Sequence, residues 1–220
     1  MAKSFAVIGL GSFGRSVAEE LINLEADLLC LDTNPDAIAK ISKIAPHAAI
    51  LDSTDEQALR DVGITSIDHV VVCIGVDVQA SILTTLILKD IGVKRVTVKV
   101  KNEYHAKVVE KVGADEIIFP EKSAGRRFAR RIISDSILDI MDLTEDYSYV
   151  EIAIPKTFVG KSLNELDFRR KFGLNVISIK RDGIILTPNV DEGFKEDDVL
   201  MIVGSNKEIT KFETRKWTTK

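Results

Sequence analysis

The residues with the clearest chemical potential are the glycines of Gly9-Leu10-Gly11-Ser12-Phe13-Gly14, a G-x-G-x-x-G run. Such a run can hold a pyrophosphate against bare backbone. Its first glycine allows a sharp turn out of a strand, its second lets the backbone approach the phosphates, and its third lets a helix lie close to a sheet. Asp32 follows eighteen residues beyond Gly14, where a site of this kind places a carboxylate for ribose hydroxyls. Further candidates stand where apolar runs end: Asp52-Ser53-Thr54, Ile74-Gly75, Lys99 and Glu121. Lys99 lies between Val98 and Val100, and a charge at the end of a buried strand calls for an anionic partner, a phosphate or a carboxylate. Plainer roles compete. Asp32 can open the turn Asp32-Thr33-Asn34-Pro35 and cap a helix, Asp52 to Thr54 can cap another, Gly75 can serve a turn, and Glu121 can sit at a helix start.

These residues need a frame that brings strand ends together. Phe5 to Ile8, Leu28 to Leu31, Ala48 to Leu51, His69 to Gly75, Val96 to Val100 and Glu116 to Phe119 read as six strands. The intervening segments carry helical spacing, as in Val17, Ala18, Leu21 and Ile22, or Ala80, Leu83, Thr84, Ile87 and Leu88. Strand–helix alternation with near-continuous apolar strands predicts an α/β fold, a doubly wound parallel Rossmann-type sheet. In that fold, ligands bind beyond the carboxyl ends of the strands. Residues 122–141 read as one longer helix. Lys122, Arg126, Arg127, Arg130 and Arg131 form a basic face, and Phe128, Ala129, Ile132, Ile133, Ile137 and Ile140 an apolar one. From residue 147 the pattern turns to alternating strands, with a hairpin signal at Arg181-Asp182-Gly183, and predicts a small C-terminal α+β domain. The expected division is 1–142 for the nucleotide-binding domain with its crossover helix and 143–220 for the second domain.

Composition narrows the function. The chain has 220 residues, a formal net charge of −4 and 45% hydrophobic residues, so broad attraction to nucleic acid is not expected. The acids Asp135, Asp139, Asp142, Glu145 and Asp146 beside the basic helix weaken that idea further. Cys30 and Cys73 fall inside apolar strands and read as buried free thiols, and no Cys/His spacing suggests a metal. Met1 leads into the first strand without a signal peptide, and no run approaches the ~20 apolar residues of a membrane span. A cytoplasmic protein whose membrane link runs through a partner is expected. His47, His69 and His105 are the only histidines and none has an acidic orienter at motif spacing. The C-terminal segment has neither histidine nor cysteine, which disfavours a catalytic lobe and favours a nucleotide sensor over an enzyme. An NAD(P)-dependent oxidoreductase or an NAD(H)-binding redox sensor is the alternative reading. A DNA-binding regulator would need an element that the sequence does not show.

The whole chain, from Phe5 to about Phe212, resembles the cytosolic regulatory subunits of bacterial Ktr/Trk potassium uptake systems, with the Ktr branch nearest. These are built from an RCK (regulator of potassium conductance) domain. The resemblance is carried by Phe5-Ala-Val-Ile-Gly-Leu-Gly, Asp52-Ser-Thr-Asp-Glu, Gln79-Ala-Ser-Ile-Leu-Thr-Thr-Leu-Ile-Leu-Lys, and Lys111-Val-Gly-Ala-Asp with Pro120-Glu121. It implies a protein that binds ATP and ADP and assembles from dimers into a ring, octameric by the same resemblance. The ring would dock on a membrane-embedded potassium-translocating subunit. It places the glycine loop (Gly9, Gly11, Ser12, Phe13 and Gly14) by the phosphates, Asp32 by the ribose, and Asp52, Ser53, Ile74 and Gly75 around adenosine. Arg15, where relatives often have glycine, lies in the first helical turn, either on the surface or reaching a phosphate from another angle. Lys99 would meet phosphate. Glu121 would hold a cation (Mg²⁺, Ca²⁺ or Na⁺) shared with the nucleotide. In the C-terminal lobe it implies a cyclic di-AMP site at Asp167, Arg169, Asn175, Ile177 and Pro188. The sequence departs from the family where Ser12 replaces the usual arginine and Arg15 stands three residues later, which leaves ATP, ADP and NAD(H) preference open.

Overall fold

The run Phe5 to Ile8 forms the central strand β1 (Ser4–Ile8) of a computed structural model that describes residues 3–134 and 136–215. Asp135, named above among the flanking acids, and the polar tail from 216 lie outside the described residues. After β1 come α1 (Ser12–Asn23), β2 (Asp27–Asp32), α2 (Pro35–Ile41), β3 (His47–Ile50), α3 (Glu56–Asp61) and a 3-10 turn at Ile64–Ser66. They are followed by β4 (His69–Val72), α4 (Val78–Asp90), β5 (Val96–Lys99), α5 (Glu103–Val112) and β6 (Glu116–Ile118). The six strands lie parallel in the order β3-β2-β1-β4-β5-β6, the doubly wound arrangement.

Alternation along β1 splits the core between the two faces of the sheet. Val7 packs with Leu28, Cys30, Ile38 and Ile41 beneath α1 and α2. Ala6 and Ile8 pack with Val70, Val96, Val98, Leu59, Leu88 and Val109 beneath α3, α4 and α5. Burying side chains of this size stabilises by about 1.5–3 kcal/mol each, which fixes β1 between β2 and β4. The chain leaves β1 and β4 toward opposite faces, so a crevice opens at their carboxyl ends. Local chemistry sets the helix starts. Asn34, Asp55, Asp77 and Asn102 each accept backbone N–H bonds at a helix N-cap, and Pro35 occupies the first turn of α2.

The chain divides into two compact units, with the break after Glu121. The helix α6 (Pro120–Ile132) runs across that break. It does not continue to 141 as the sequence suggests. It stops at Ile132, and Ile137 and Ile140 belong to a strand, β7 (Ile137–Asp142), which assigns these residues to the second unit rather than the first. Of the other apolar residues read onto the helix, Phe128, Ile132 and Ile133 are exposed. Of its basic face, Arg126 and Arg130 pair with Asp142.

The second unit continues with β8 (Tyr147–Ala153), α7 (Phe168–Phe172), β9 (Asn175–Arg181), β10 (Ile184–Leu186), β11 (Val199–Ser205) and α8 (Asn206–Glu213). Its five strands form an antiparallel sheet in the order β10-β9-β11-β8-β7. Asp182 and Gly183 both take positive φ (50° and 80°), the two-residue turn that the hairpin signal calls for. Phe158, Phe168, Phe172 and Phe212 pack together in the core with ring centroids 4.9–6.2 Å apart, four of the six pairs edge-on and two tilted.

Candidate functional site

The glycine run turns out of β1 with each glycine in a different situation. Gly9 has φ +92°, and a Cβ there would stand 3.0 Å from the Cys73 and Ile74 backbone. Its N–H donates to the Leu31 carbonyl at 2.8 Å. Gly14 is buried in the first turns of α1, where a Cβ would lie 1.9 Å from the Gly9 carbonyl oxygen. Gly11 differs from both: its φ is −61°, and a Cβ would meet no protein atom within 4 Å. It is the N-cap of α1, with no capping side chain and no acid in the first turn, so no side chain of α1 itself opposes the positive end of the helix.

Asp32 ends β2 beside this loop. One carboxylate oxygen accepts the Leu10 N–H at 2.5 Å and the other the Asn34 N–H at 2.7 Å. Asp32 is therefore not the cap of α2; Asn34 is, accepting from Asp36 and Ala37. Nor do Asp52 to Thr54 cap α3, which is capped by Asp55. Asp52 instead closes a turn, accepting both the hydroxyl (2.7 Å) and the N–H (2.9 Å) of Thr54, and these bonds hold its carboxyl below the usual range. Ser53 is buried, and its hydroxyl pairs with that of Thr84 at 2.7 Å.

A cavity of about 500 Å³ lies at the carboxyl ends of β1, β2, β3 and β4. Gly9, Gly11, Asp32, Asp52, Ser53, Ile74 and Gly75, from four separate stretches of the sequence, line it. Thr33, Thr54, Asp77 and Ala80 also line it. From the sequence Ala80 reads as part of a helix and nothing singles out Asp77, which accepts the Ala80 N–H at 2.9 Å at the start of α4. Ser12, Phe13, Gly14, Arg15, Lys99 and Glu121 are not on its wall. Lys99 stands directly behind Gly75, with Nζ 3.3 Å from the position of a Cβ there, 5.6 Å from the Phe13 ring and 2.5 Å from the Glu121 carboxylate. The bond from Lys99 holds the Glu121 carboxyl below its ordinary value. Arg15 lies on the outer face of α1, 3.6 Å from Glu19, and Ser12 is exposed.

The chemistry on offer is binding. Cys73 lines the cavity floor, but burial pushes its thiol up to about 12, which leaves it an inert thiol. His47 is exposed at the edge of the sheet and His69, 2.7 Å from the Thr97 hydroxyl, begins β4 at the opposite end of the sheet. His105 is buried in α5, and that burial holds it below its ordinary value. Among the described residues no three His, Cys, Asp or Glu side chains gather into a metal site, so Glu121 could hold a cation only jointly with a ligand's own oxygens.

In the second unit, Asp167, Arg169 and Asn175 line a smaller cavity of about 250 Å³ with Asn164 and Val190. Asp167 adopts a left-handed conformation (φ 45°) just before α7. Ile177 is exposed on β9 and Pro188 half-buried, and neither lines this cavity.

The TrkA-N domain family matches residues 5–120 and the TrkA-C domain family residues 148–215. Ktr system potassium uptake protein C of Bacillus subtilis (strain 168) is 44% identical over the full length of both chains. Ktr system potassium uptake protein A of the same organism is 40% identical over 96% of each. Among solved structures, the GsuK RCK domain superposes with a TM-score of 0.68 at 16% identity, covering all of this chain and 49% of that one. A GsuK channel bound to NAD superposes at 0.66 with 15% identity, over 94% of this chain and 38% of that one.

Proposed function

The chain belongs to the family of Ktr and Trk potassium uptake proteins, as an RCK-type regulatory subunit and not an enzyme, and we propose that an adenine nucleotide in the cavity at Gly11 and Asp32 switches it. One observation carries the nucleotide reading. Gly9 and Gly14 are glycines because the protein leaves no room for a Cβ, whereas nothing in the backbone or packing demands a glycine at Gly11. Gly11 faces the cavity at the open end of a helix, and a phosphate group on that end explains its bare backbone.

ATP and ADP are the proposed ligands. Asp32 would accept from the ribose with the lone pairs that Leu10 and Asn34 leave free, and Asp52, Ser53, Ile74 and Gly75 would surround adenosine. Lys99 would meet the phosphates past Gly75, competing with its Glu121 bond, and Glu121 would then hold a Mg²⁺, Ca²⁺ or Na⁺ ion with phosphate oxygens. The two nucleotides act by population shift, each favouring a different shape of a ring assembled from dimers, an octamer in this reading. Tight binding alone would not do so, since only differential affinity moves the equilibrium. The ring would pull or release a potassium-translocating membrane subunit from the cytoplasmic side. This chain has no helix, among the described residues, long and apolar enough to cross a membrane itself. Cyclic di-AMP is the proposed second ligand, at the cavity of Asp167, Arg169 and Asn175 with Ile177 and Pro188 at its margin. Arg169 suits a phosphate and Asn175 an adenine edge. NAD(H) is the second reading for the first cavity, because one solved neighbour of this fold is the GsuK channel bound to NAD; another, GsuK bound to ADP, favours the first reading.

Calorimetric titration with ATP, ADP, NADH and NAD⁺ side by side tests the reading. ATP and ADP are expected to bind; NADH binding tightly while neither mononucleotide binds would overturn it. In the same assay Asp32→Ala is expected to weaken nucleotide binding by about 1.5–3 kcal/mol, the loss of hydrogen bonds to a charged group. Unchanged affinity in a folded Asp32→Ala protein would reduce Asp32 to a residue that only holds the Leu10 and Asn34 turns. Glu121→Gln is expected to remove any dependence of ATP affinity on divalent ions while Arg15→Ala changes little. ATP affinity that is the same with chelator, with Mg²⁺ and in Glu121→Gln would rule out the cation role.

A further inference from the structure

We propose that Thr84 is a positioning residue for the nucleotide cavity, holding the wall at 52–54 in place through Ser53; the inference rests on the nucleotide reading above. The side chains that α4 buries are Ser81, Thr84, Thr85 and Leu88, so most of its inner face is polar in an otherwise apolar layer. Thr85 spends its hydroxyl locally, donating to the Ser81 carbonyl one turn back at 2.7 Å. Thr84 does not. Its hydroxyl leaves the helix and meets Ser53, thirty-one residues earlier in the chain, at 2.7 Å. Both residues are buried, with Thr84 fully so, and a hydroxyl pair is worth most where water cannot replace it.

The wall at 52–54 needs such an anchor. It follows β3, the edge strand of the sheet, separated from β4 by β2 and β1. β3 is short and its last residue, Ile50, is exposed. The loop is tied back to the sheet by the Leu51 N–H on the Asp32 carbonyl at 3.0 Å. On the far side of the cavity, α4 follows its N-cap Asp77, and Asp77 and Ala80 line the wall there. Thr84 stands four residues past Ala80, on the same helix face and one turn deeper. The Ser53–Thr84 bond therefore joins two walls of the cavity that the sheet itself does not join. Ser53, whose side chain points into this bond, can serve a ligand only through its backbone and by the position it gives Asp52.

The test compares Thr84→Val, Thr84→Ser, Ser53→Ala and the double variant Ser53→Ala/Thr84→Val in full-length protein. Titrations use ATP, ADP and AMP, and urea unfolding is measured without nucleotide. Thr84→Val keeps the side-chain shape and removes the hydroxyl. It is expected to weaken all three nucleotides alike, by about tenfold, because the wall faces the nucleoside and not the phosphates. Thr84→Ser keeps the hydroxyl and is expected to bind within about twofold of the parent. The double variant is expected to bind no worse than Thr84→Val, since both changes remove one bond. Unchanged affinities with a lowered urea midpoint would make Thr84 a purely structural residue and overturn the inference. So would Thr84→Ser binding as poorly as Thr84→Val. If the parent protein bound no nucleotide at all, the reading of the cavity would fall first, and with it this role for Thr84.

Discussion

Asp198→Ala is expected to destabilise the C-terminal unit by about 3–5 kcal/mol, the cost of removing one partner of a buried ion pair. Asp198 is fully buried, and both its oxygens are engaged by the Arg181 guanidinium, at 2.7 Å and 2.8 Å. The Lys195 N–H adds a third bond at 2.8 Å, and Glu192 holds the remaining side of Arg181. Burial by itself would raise the Asp198 carboxyl, but the bonds from Arg181 and Lys195 outweigh it and hold the group below its ordinary value. A folded-state pKa below the unfolded one means that the stabilisation is present at neutral pH and is lost as pH falls through the folded value. Asp198→Asn should accordingly flatten the acid limb of the stability–pH curve as well as lower its plateau. Urea unfolding between pH 7 and pH 3 measures both. A parent and an Asp198→Ala protein with the same midpoint and slope would show that the pair contributes nothing. Replacing both partners, as in Arg181→Met/Asp198→Leu, should recover part of the loss, because no charge is then left buried without its partner. The recovery stays partial, since the Lys195 N–H still lacks its acceptor.

The parallel sheet was legible because its signals are local and agree with one another. The central strands are apolar runs buried on both faces, α2 to α5 each start at an aspartate or asparagine cap, and the glycine run falls at the first strand–helix turn. The site inherits that legibility: strand ends converge wherever the strands do. Side-chain partnerships across the fold were not legible. Lys99 calls for an anion, and either a phosphate or a carboxylate satisfies the requirement. That Glu121 meets it in the chain by itself depends on how β5 and the start of α6 meet in space. Likewise Asp52, Ser53, Thr54 and Asp55 are all competent caps, and spacing alone does not choose Asp55. The error at 133–141 has a specific cause. Ile137 and Ile140 are three residues apart, a helical interval, and both are buried. In β7 they reach the same face because the register shifts between Ile137 and Asp139, which resets the two-residue alternation. A bulge in a short strand thus reproduces the spacing of a helix. The five-residue helix α7 is too short to show any period at all.

Gly11→Val and Gly14→Ala are expected to fail in opposite ways. Gly14→Ala adds one methyl group where a Cβ would lie 1.9 Å from the Gly9 carbonyl oxygen and 3.0 Å from Cys73 Cβ, so α1 must shift off the sheet. Overpacking of this kind costs about 1–3 kcal/mol or more, and it would appear in urea unfolding with no nucleotide present. Gly11 has an ordinary φ and empty space around its missing Cβ. A side chain there strains nothing in the nucleotide-free protein, and an alanine at a helix N-cap costs at most about 1 kcal/mol relative to glycine. The space it would fill belongs to the cavity, at the N–H groups that a phosphate would use. Gly11→Ala should therefore weaken ATP and ADP with little change in unfolding midpoint, and Gly11→Val should abolish calorimetric binding of both. Nucleoside without phosphate separates the causes. Adenosine should still bind Gly11→Val in some measure, because Asp32 and the wall at 52–54 remain, while the phosphate contribution is gone. If Gly11→Val bound ATP as the parent does, Gly11 would be no more than a helix cap, and the phosphates would have to be held by Lys99 alone.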